Sequence, residues 1–592
     1  MSSNTSANIV ITGQGIISAI GIGVQENLQA LRDGRSGIGM MRYLNSSHHE
    51  LPVGEVDRSN DQLKAMLGIA SEREVNRTAL LGMVALRQAI DEAGLWRHQH
   101  HRIVLVDGTT VGGMDLTERY FGSFCDSDEH IECMRQHDCG ATTELMADYF
   151  GFFDESTTLS TACSAAANAL IVGANLLRSG QADFVVAGGA EALSRYHLNG
   201  FNSLMILDHE VCRPFDDTRA GLNLGEGAAF VVMERELDAR ERGASILGYL
   251  TGYGNACDAF HQTMSSPDGE GAYRAMTQAL AMAGLQPDEI DYINAHGTGT
   301  VNNDQSESAA LRRVFGDQMP PVTSTKMYTG HTTSASGAIE AVFSLLALRH
   351  CFVPANLGWS HASPDVITPS MGISQLTINQ VLCNSFCFGG NDTSLVFSRR
   401  PKHNLDHLGT IRKVRIAAQV ELADPDSLAD INKYIKPMEA RRMGKLLKAS
   451  LLTSFKALET AGIDAPDAII TATAWGCAEH NELLLDQLER EGEVPLKPTY
   501  FMQSTHNTIS SNIAIHLHCH GYNVTYCHGM QSFDWALRDA KMLLQGGMCR
   551  TVLVGLHEEV TPLMRSLLGR LGLPLASANL YSKAVVMTIN EE

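Results

Sequence analysis

Short apolar runs bounded by glycine alternate along this chain with longer stretches in which apolar residues recur every three or four positions. Ile9–Gly13 (IVITG), Ile103–Val106 and Phe184–Ala187 read as buried strands. Val24–Arg32 and Arg77–Ala93 read as helices, the second stopped by Gly94. The alternation resumes with a helix at Ala272–Ala283, a strand at Tyr292–Ala295, a helix at Ile339–Leu348 and a strand at Leu395–Phe397. Such a pattern predicts α/β layers, with helices covering sheets. At Leu159–Ala169 (LSTACSAAANA) a strand-like run ends in small residues and a helical pattern, Ala165–Gly180, begins. Cys163 therefore falls where a strand turns into a helix N-terminus. Unpaired N–H groups and the helix dipole favour a thiolate there. A lone cysteine is more often a small core hydrophobe, so a catalytic reading needs partners.

Composition narrows the classes. The 592 residues suffice for about three domains of ordinary size. Hydrophobic content of 44% and charged content of 19% fit a well-cored globular chain. A net charge of −21 argues against nucleic-acid binding. An acidic partner must then dock on a local basic patch, for which Lys64, Arg73 and Arg77 lie together in sequence. Thirteen cysteines without framework spacing suggest reduced thiols. The opening MSSNTSANIVITG lacks a basic and an apolar signal region, so the expected location is cytoplasmic. No apolar run approaches the ~20 residues that span a bilayer.

The polar stretch Arg399–Gly409 (RRPKHNLDHLG) is the best linker candidate, and beyond it earlier patterns return. EAGL at Glu92–Leu95 recurs as TAGI at Thr460–Ile463, and DGTTVGG at Asp107–Gly113 as TATAWGC at Thr471–Cys477. LLRSG, ending at Gly180, recurs as LLQGG, ending at Gly547, at a nearly constant offset. The C-terminal unit thus reads as a partial duplicate of the first ~200 residues. The expected division is 1–245, 246–400, a linker at 401–410, and 411–592.

Three further stretches supply partners for Cys163. NAHGTGTVNND (Asn294–Asp304) follows a predicted strand; STKMYTGHTTSASGAIE (Ser324–Glu340) places a Gly-flanked His331 before a helix; NSFCFGGND (Asn384–Asp392) has glycines that admit a ligand close to the backbone. Two histidines in such positions with a helix-start cysteine make a nucleophile with partners.

Together TACSA, NAHGTGT, STK…GHT…G..E, NSF.FGG and RPFDDTRAGLNLGEGA make residues 1–400 resemble the elongating, Cys-His-His type of β-ketoacyl-acyl-carrier-protein synthase. The resemblance implies the thiolase fold, with two pseudo-repeat halves in an α-β-α-β-α five-layer arrangement, plus a C-terminal half-thiolase-like domain. It implies that Cys163 takes the acyl chain and that the N–H groups of Cys163 and Phe388 hold the oxyanion. It further implies that His296 and His331, as neutral donors, stabilise the enolate formed when malonyl-carrier protein loses CO₂. Lys326, with Asp304 and Glu307, would support His331, and Glu340 would brace the same loop. Thr298 and Thr300 would bind the phosphopantetheine arm, which arrives on the acyl carrier protein, so no cofactor and no metal is expected. Phe388 would gate the acyl pocket.

Cys387 stands where the family usually has glycine, which keeps a CoA-linked thiolase reading open. Ser334 likewise replaces a usual glycine. Alignment of the duplicate sets Met530 opposite Cys163, and a thioether cannot carry an acyl thioester. The C-terminal unit therefore resembles the nucleophile-less chain-length factors of polyene and polyketide synthases, including aryl-polyene systems. A non-catalytic carrier-binding scaffold is the alternative. The duplicate either replaces the partner of a homodimer, as an internal pseudo-dimer, or decorates one. HLHCH (His516–His520), with Cys527 and His528, is the only stretch suggestive of a metal, and it reads better as a helix ending at Gly521.

Overall fold

The computed structural model describes residues 7–98, 101–408, 412–422, 425–573 and 578–590. The last two residues of the expected linker, 409 and 410, lie outside the described residues. The first repeat contains β1 (Ile9–Ser18), the short β2 (Gly21–Ile22), β3 (Ile103–Gly108), β4 (Glu155–Leu159), β5 (Phe184–Glu191) and β6 (Gly227–Arg235). The second contains β7 (Gly248–Cys257), β8 (Tyr292–Asn294), β9 (Val322–Thr323), β10 (Gln380–Ser385) and β11 (Asn391–Ser398). The third contains β12 (Val414–Leu422), β13 (Ala468–Ala472), β14 (Tyr522–Tyr526), β15 (Thr551–Glu559) and β16 (Leu580–Ile589).

One strand order occurs three times along the sheet path. It reads β4-β3-β5-β6-β1, then β9-β8-β10-β11-β7, then β14-β13-β15-β16-β12. The second repeat joins the first through β1 and β7, with Ile9 opposite Leu250. The third joins the first through β4 and β14, with Tyr526 opposite Leu159. The Ser160 N–H donates to Thr525 O and the Cys527 N–H to Thr158 O, both at 2.9 Å. The third repeat thereby covers a strand edge that would otherwise template aggregation.

Sequence explains how the layers close. The helix Arg77–Ala93 is capped by the Asn76 side chain, which accepts the Ala79 N–H, and stops at left-handed Gly94. It presses on β1 so closely that a β-carbon at Gly15 would stand 1.9 Å from Ala85 O. Helices Ala165–Arg178 and Ser336–His350 form the middle layer; the first is buried throughout and the second through Leu348. The first ends two residues before the expected Gly180. The helix Thr508–Leu517 stops at left-handed His518, not at Gly521. The side chains of the HLHCH tract then diverge. His516 Nε2 lies 2.9 Å from Glu439, Cys519 Sγ 3.1 Å from Pro466 O, and His520 Nδ1 3.0 Å from Cys257 O.

Candidate active site

After β4, β9 and β14 each repeat enters a helix through a 3₁₀ corner that contains a left-handed residue. In the first the corner is Ala162–Ser164, with Ala162 at φ 51°. In the second it is Thr333–Ala335, with Thr333 at φ 46°, and in the third Gly529–Gln531, with Gly529 at φ 53°. The middle residues are Cys163, Ser334 and Met530. The Ser334 hydroxyl donates to buried Glu191, so this departure from the family pattern ties the second corner to β5.

Around Cys163 the fold assembles residues far apart in sequence. His331 Nε2 lies 3.0 Å from its sulfur. The His296 and His331 rings meet edge to face with centroids 5.3 Å apart. Lys326 Nζ donates to His296 O and to Glu340 Oε1, each at 2.6 Å, and stands 3.2 Å from His296 Nδ1. An ammonium has no acceptor, so Nδ1 must accept and the ring proton sits on Nε2. The Lys326–Glu340 pair is buried. It therefore supports His296, a correction to the expected support of His331. Spacing of five residues along the chain did not reveal which ring the lysine reaches. Glu307 also serves the His296 loop, accepting the His296 and Gly297 N–H groups at 2.9 and 2.7 Å. Asp304 accepts from Phe215 and Gly299.

Burial pushes the Cys163 thiol up to about 12, against the pull of Lys326 and of the Cys163 and Phe388 N–H groups. The thiolate expected from the helix start is thus overridden by desolvation, and the resting group is a thiol beside a base. Burial, followed by the Lys326 charge, holds both His296 and His331 well below the ordinary histidine range, so both rings are neutral. The backbone N–H groups of Cys163 and Phe388 both lie toward the sulfur. Phe388 stacks on Phe201, with centroids 5.7 Å apart, and lies between the Cys163 cavity and an adjoining cleft. The Thr298 and Thr300 hydroxyls are 2.8 Å apart.

Three readings of the sequence change here. Arg77 is buried and bonds Glu226 through Nε at 2.8 Å and a terminal nitrogen at 2.6 Å. Lys64 is buried and donates to Ser71 O at 2.6 Å. Only Arg73 of the expected basic patch is exposed, so the patch does not form. Cys387 Sγ lies 3.0 Å from Asn391 O and 3.5 Å from the Ser164 hydroxyl. It is held as a support of the corner, and no histidine stands at hydrogen-bond distance from it among the described contacts, unlike Cys163.

Two features went unassigned in the sequence. Beneath the corner, Asn391 Oδ1 accepts from Ser164 Oγ and Asn168 Nδ2 at 2.8 Å each, and its own amide donates to Asn523 O of β14. The cavity beside Cys163 is also walled by Trp475, Phe501 and His506 of the third repeat. Trp475 and His137 line a second, apolar cavity behind it, with Leu563 and Leu567. A cavity wall built from a distant domain leaves no signature at the nucleophile.

A β-ketoacyl synthase N-terminal domain model matches residues 6–239, the C-terminal domain model matches 247–360, and a further N-terminal domain model matches 417–592. The chain is similar to 3-oxoacyl-[acyl-carrier-protein] synthase 2 of Synechocystis sp., at 32% identity over 66% of this chain and 98% of that one. It is also similar to nodulation protein E of Rhizobium meliloti, at 31% over 66% and 99%. Among solved structures, the ketosynthase ApeO in complex with its chain length factor ApeC from Xenorhabdus doucetiae is 33% identical, with TM-score 0.58 over 68% of this chain and 100% of that one. The PfaC keto synthase–chain length factor, at 16% identity, has TM-score 0.79 over 98% of this chain and 78% of that one, a likeness of fold across all three repeats. No helix among the described residues is long and apolar enough to cross a membrane. The chain therefore belongs to the β-ketoacyl synthase family: it is an acyltransferase of the 3-oxoacyl-[acyl-carrier-protein] synthase type, followed by a second synthase-like domain with Met530 at the corner position that Cys163 holds in the first repeat.

Proposed function

We propose that the chain extends an acyl group held on Cys163 by decarboxylative condensation with malonyl-carrier protein, in a polyene or polyketide pathway of the aryl-polyene type, in the cytoplasm. The observation that carries this reading is a cysteine 3.0 Å from a neutral histidine in a cavity walled by the third repeat. In the first stage the Cys163 sulfur attacks the acyl thioester while its proton passes to His331 Nε2. The N–H groups of Cys163 and Phe388 receive the oxyanion, and the departing carrier thiolate takes the proton back. One oxyanion donor is worth about 10²–10³ in rate.

Malonyl-carrier protein then enters, with Thr298 and Thr300 along its pantetheine arm. His296, as its Nε2–H tautomer, donates to the malonyl thioester oxygen, and His331, once the sulfur is capped, shifts its ring proton from Nδ1 to Nε2 by exchange with water and donates beside it. Carbon dioxide leaves, the enolate carbon attacks the Cys163 thioester, the chain lengthens by two carbons, and the released Cys163 thiolate takes up one proton from water. Lys326 and Glu340 act through His296 as positioning residues. The third repeat stands where a homodimer's partner would, so one chain makes an internal pseudo-dimer, and its wall residues set product length. The carrier protein docks on a surface other than Lys64 and Arg77. Mass spectrometry of the acyl chain trapped on Cys163 is the test. Chains of one narrow length that shift when third-repeat wall residues change support the reading; acylation of another residue, or lengths indifferent to the wall, defeats it.

A further inference from the structure

Away from the catalytic group, Cys139, His506 and Cys527 converge in the interior, with a donor atom from each lying within 4.8 Å of the others. They come from both sides of the seam between repeats. Cys139 opens the first-repeat helix Cys139–Phe150. Cys527 follows β14, its N–H bonded to Thr158 O across the seam. His506 just precedes the third-repeat helix Thr508–Leu517. None of the three is at the reacting atoms of the condensation proposed above, although Cys139 and His506 line the cavity beside Cys163.

The imidazole is prepared as a ligand would be. Ser160 Oγ lies 3.1 Å from His506 Nδ1. With the ring proton on Nδ1 and donated to that hydroxyl, the Nε2 lone pair is free, the usual outer-sphere arrangement for a metal-bound histidine. Gly476 backs the ring; a β-carbon there would stand 2.8 Å from Nε2 and crowd that edge.

We propose that Cys139, His506 and Cys527 bind a zinc-type divalent cation that fastens the third repeat to the first. Two thiolates and one imidazole suit a borderline-soft ion in tetrahedral geometry, with one position left for water. Bonds of about 2.3 Å to sulfur and 2.0 Å to nitrogen put tetrahedral donors roughly 3.5–4 Å apart, within the span of the cluster. Cys139 and His506 border the Cys163 cavity, so the water position faces it. Binding expels the thiol protons still present, since the ligands are thiolate sulfur and neutral nitrogen. This departs from the expectation of a metal-free chain, which rested on the divergent HLHCH tract.

The test uses the full chain, reduced, incubated with Zn²⁺ and passed through a desalting column. Elemental analysis should find about one zinc per chain, and chelation should lower the melting temperature. Co²⁺ in place of zinc should give thiolate-to-metal charge-transfer absorption in the near ultraviolet. Ser160→Ala should weaken metal affinity by about 10–100-fold, and Cys139→Ser with Cys527→Ser should abolish retention. Below about a tenth of an equivalent in the unmodified chain, no cobalt band, or full retention by the double variant would overturn the proposal. So would metal-free chain in which both thiols resist alkylation until reduced, because they would then be a disulfide.

Discussion

Cys163 and Met530 sit at the same place in two copies of one corner, yet Cys163 is 6% exposed and Met530 82%. The backbones agree: a strand (β4 or β14), a left-handed residue, a 3₁₀ turn, then a fourteen-residue helix in each. What differs is what lies above. The second repeat lays His296, His331 and Phe388 over Cys163, whereas no equivalent repeat among the described residues covers Met530. The corner is therefore a property of the fold, and catalysis is a property of the layer placed on it. Ser334 gives a third outcome, in which the same corner spends its hydroxyl on Glu191.

The comparison breaks most visibly at the nucleophile. Cys163→Ala should lower turnover by about 10⁴-fold or more, since the loss of a nucleophile removes the whole covalent route. Acyl transfer from carrier protein, read by intact mass, checks it. His331→Ala should slow both acylation and decarboxylation, because a thiol held near 12 needs the neighbouring base. His296→Ala should act chiefly on decarboxylation, by about 10²–10⁴-fold. Equal loss of both half-reactions in the two variants would erase the assigned division.

Next comes the seam. Removing residues 412–592 should expose the β4 edge and strip the far wall of the cavity, giving aggregation or a new oligomer by light scattering. A milder break is Trp475→Ala. Trp475 lines both the Cys163 cavity and the apolar one behind it, with His137 and Asn481. Its loss should join them and lengthen the product, with folding intact. An unchanged product profile would show that the third repeat does not set length.

The grouping of Cys163 with His296 and His331 was legible because each sits in a Gly- or Ala-rich stretch that few other chemistries require. The duplication was legible as well: a synthase N-terminal domain model matches residues 417–592, and this repeat meets the first where β14 pairs with β4. Arg77 was misread because its partner, Glu226, lies 149 positions away and turns the side chain inward. Lys326 was misread because sequence order gives neighbours along the chain but not across a fold. Trp475 and Phe501 went unnoticed since a wall needs only bulk, which has no motif.

A smaller effect concerns pH. The His296 and His331 imidazoles are held well below 6.5 by burial and then by Lys326. They stay neutral where an exposed histidine takes up a proton. Decarboxylation should therefore remain flat between about pH 8 and pH 6. Stability moves the other way for the same reason: below about 6.5 the unfolded chain binds protons that these folded rings refuse, so their contribution is lost as the pH falls. A sigmoidal loss of rate centred near 6.5 would mean that one ring is protonated in the working enzyme.

The smallest effect sharpens the comparison most. Met530→Ala should leave turnover nearly unchanged, because the thioether touches no reacting atom. Met530→Cys is more instructive. It sets a thiol on the same corner, but in water, where the ordinary cysteine pKa of about 8.5 applies. At pH 8 iodoacetamide should modify position 530 faster than Cys163, whose thiol is buried and pushed up to about 12. Acyl-carrier protein should do the reverse and load Cys163 alone, since only that sulfur has His331 to take its proton and two N–H groups to hold the oxyanion. Peptide mapping after each reagent reads both outcomes in one sample. An acyl chain found at position 530 would mean that the corner suffices for transfer and that the layer above Cys163 is not what distinguishes the two.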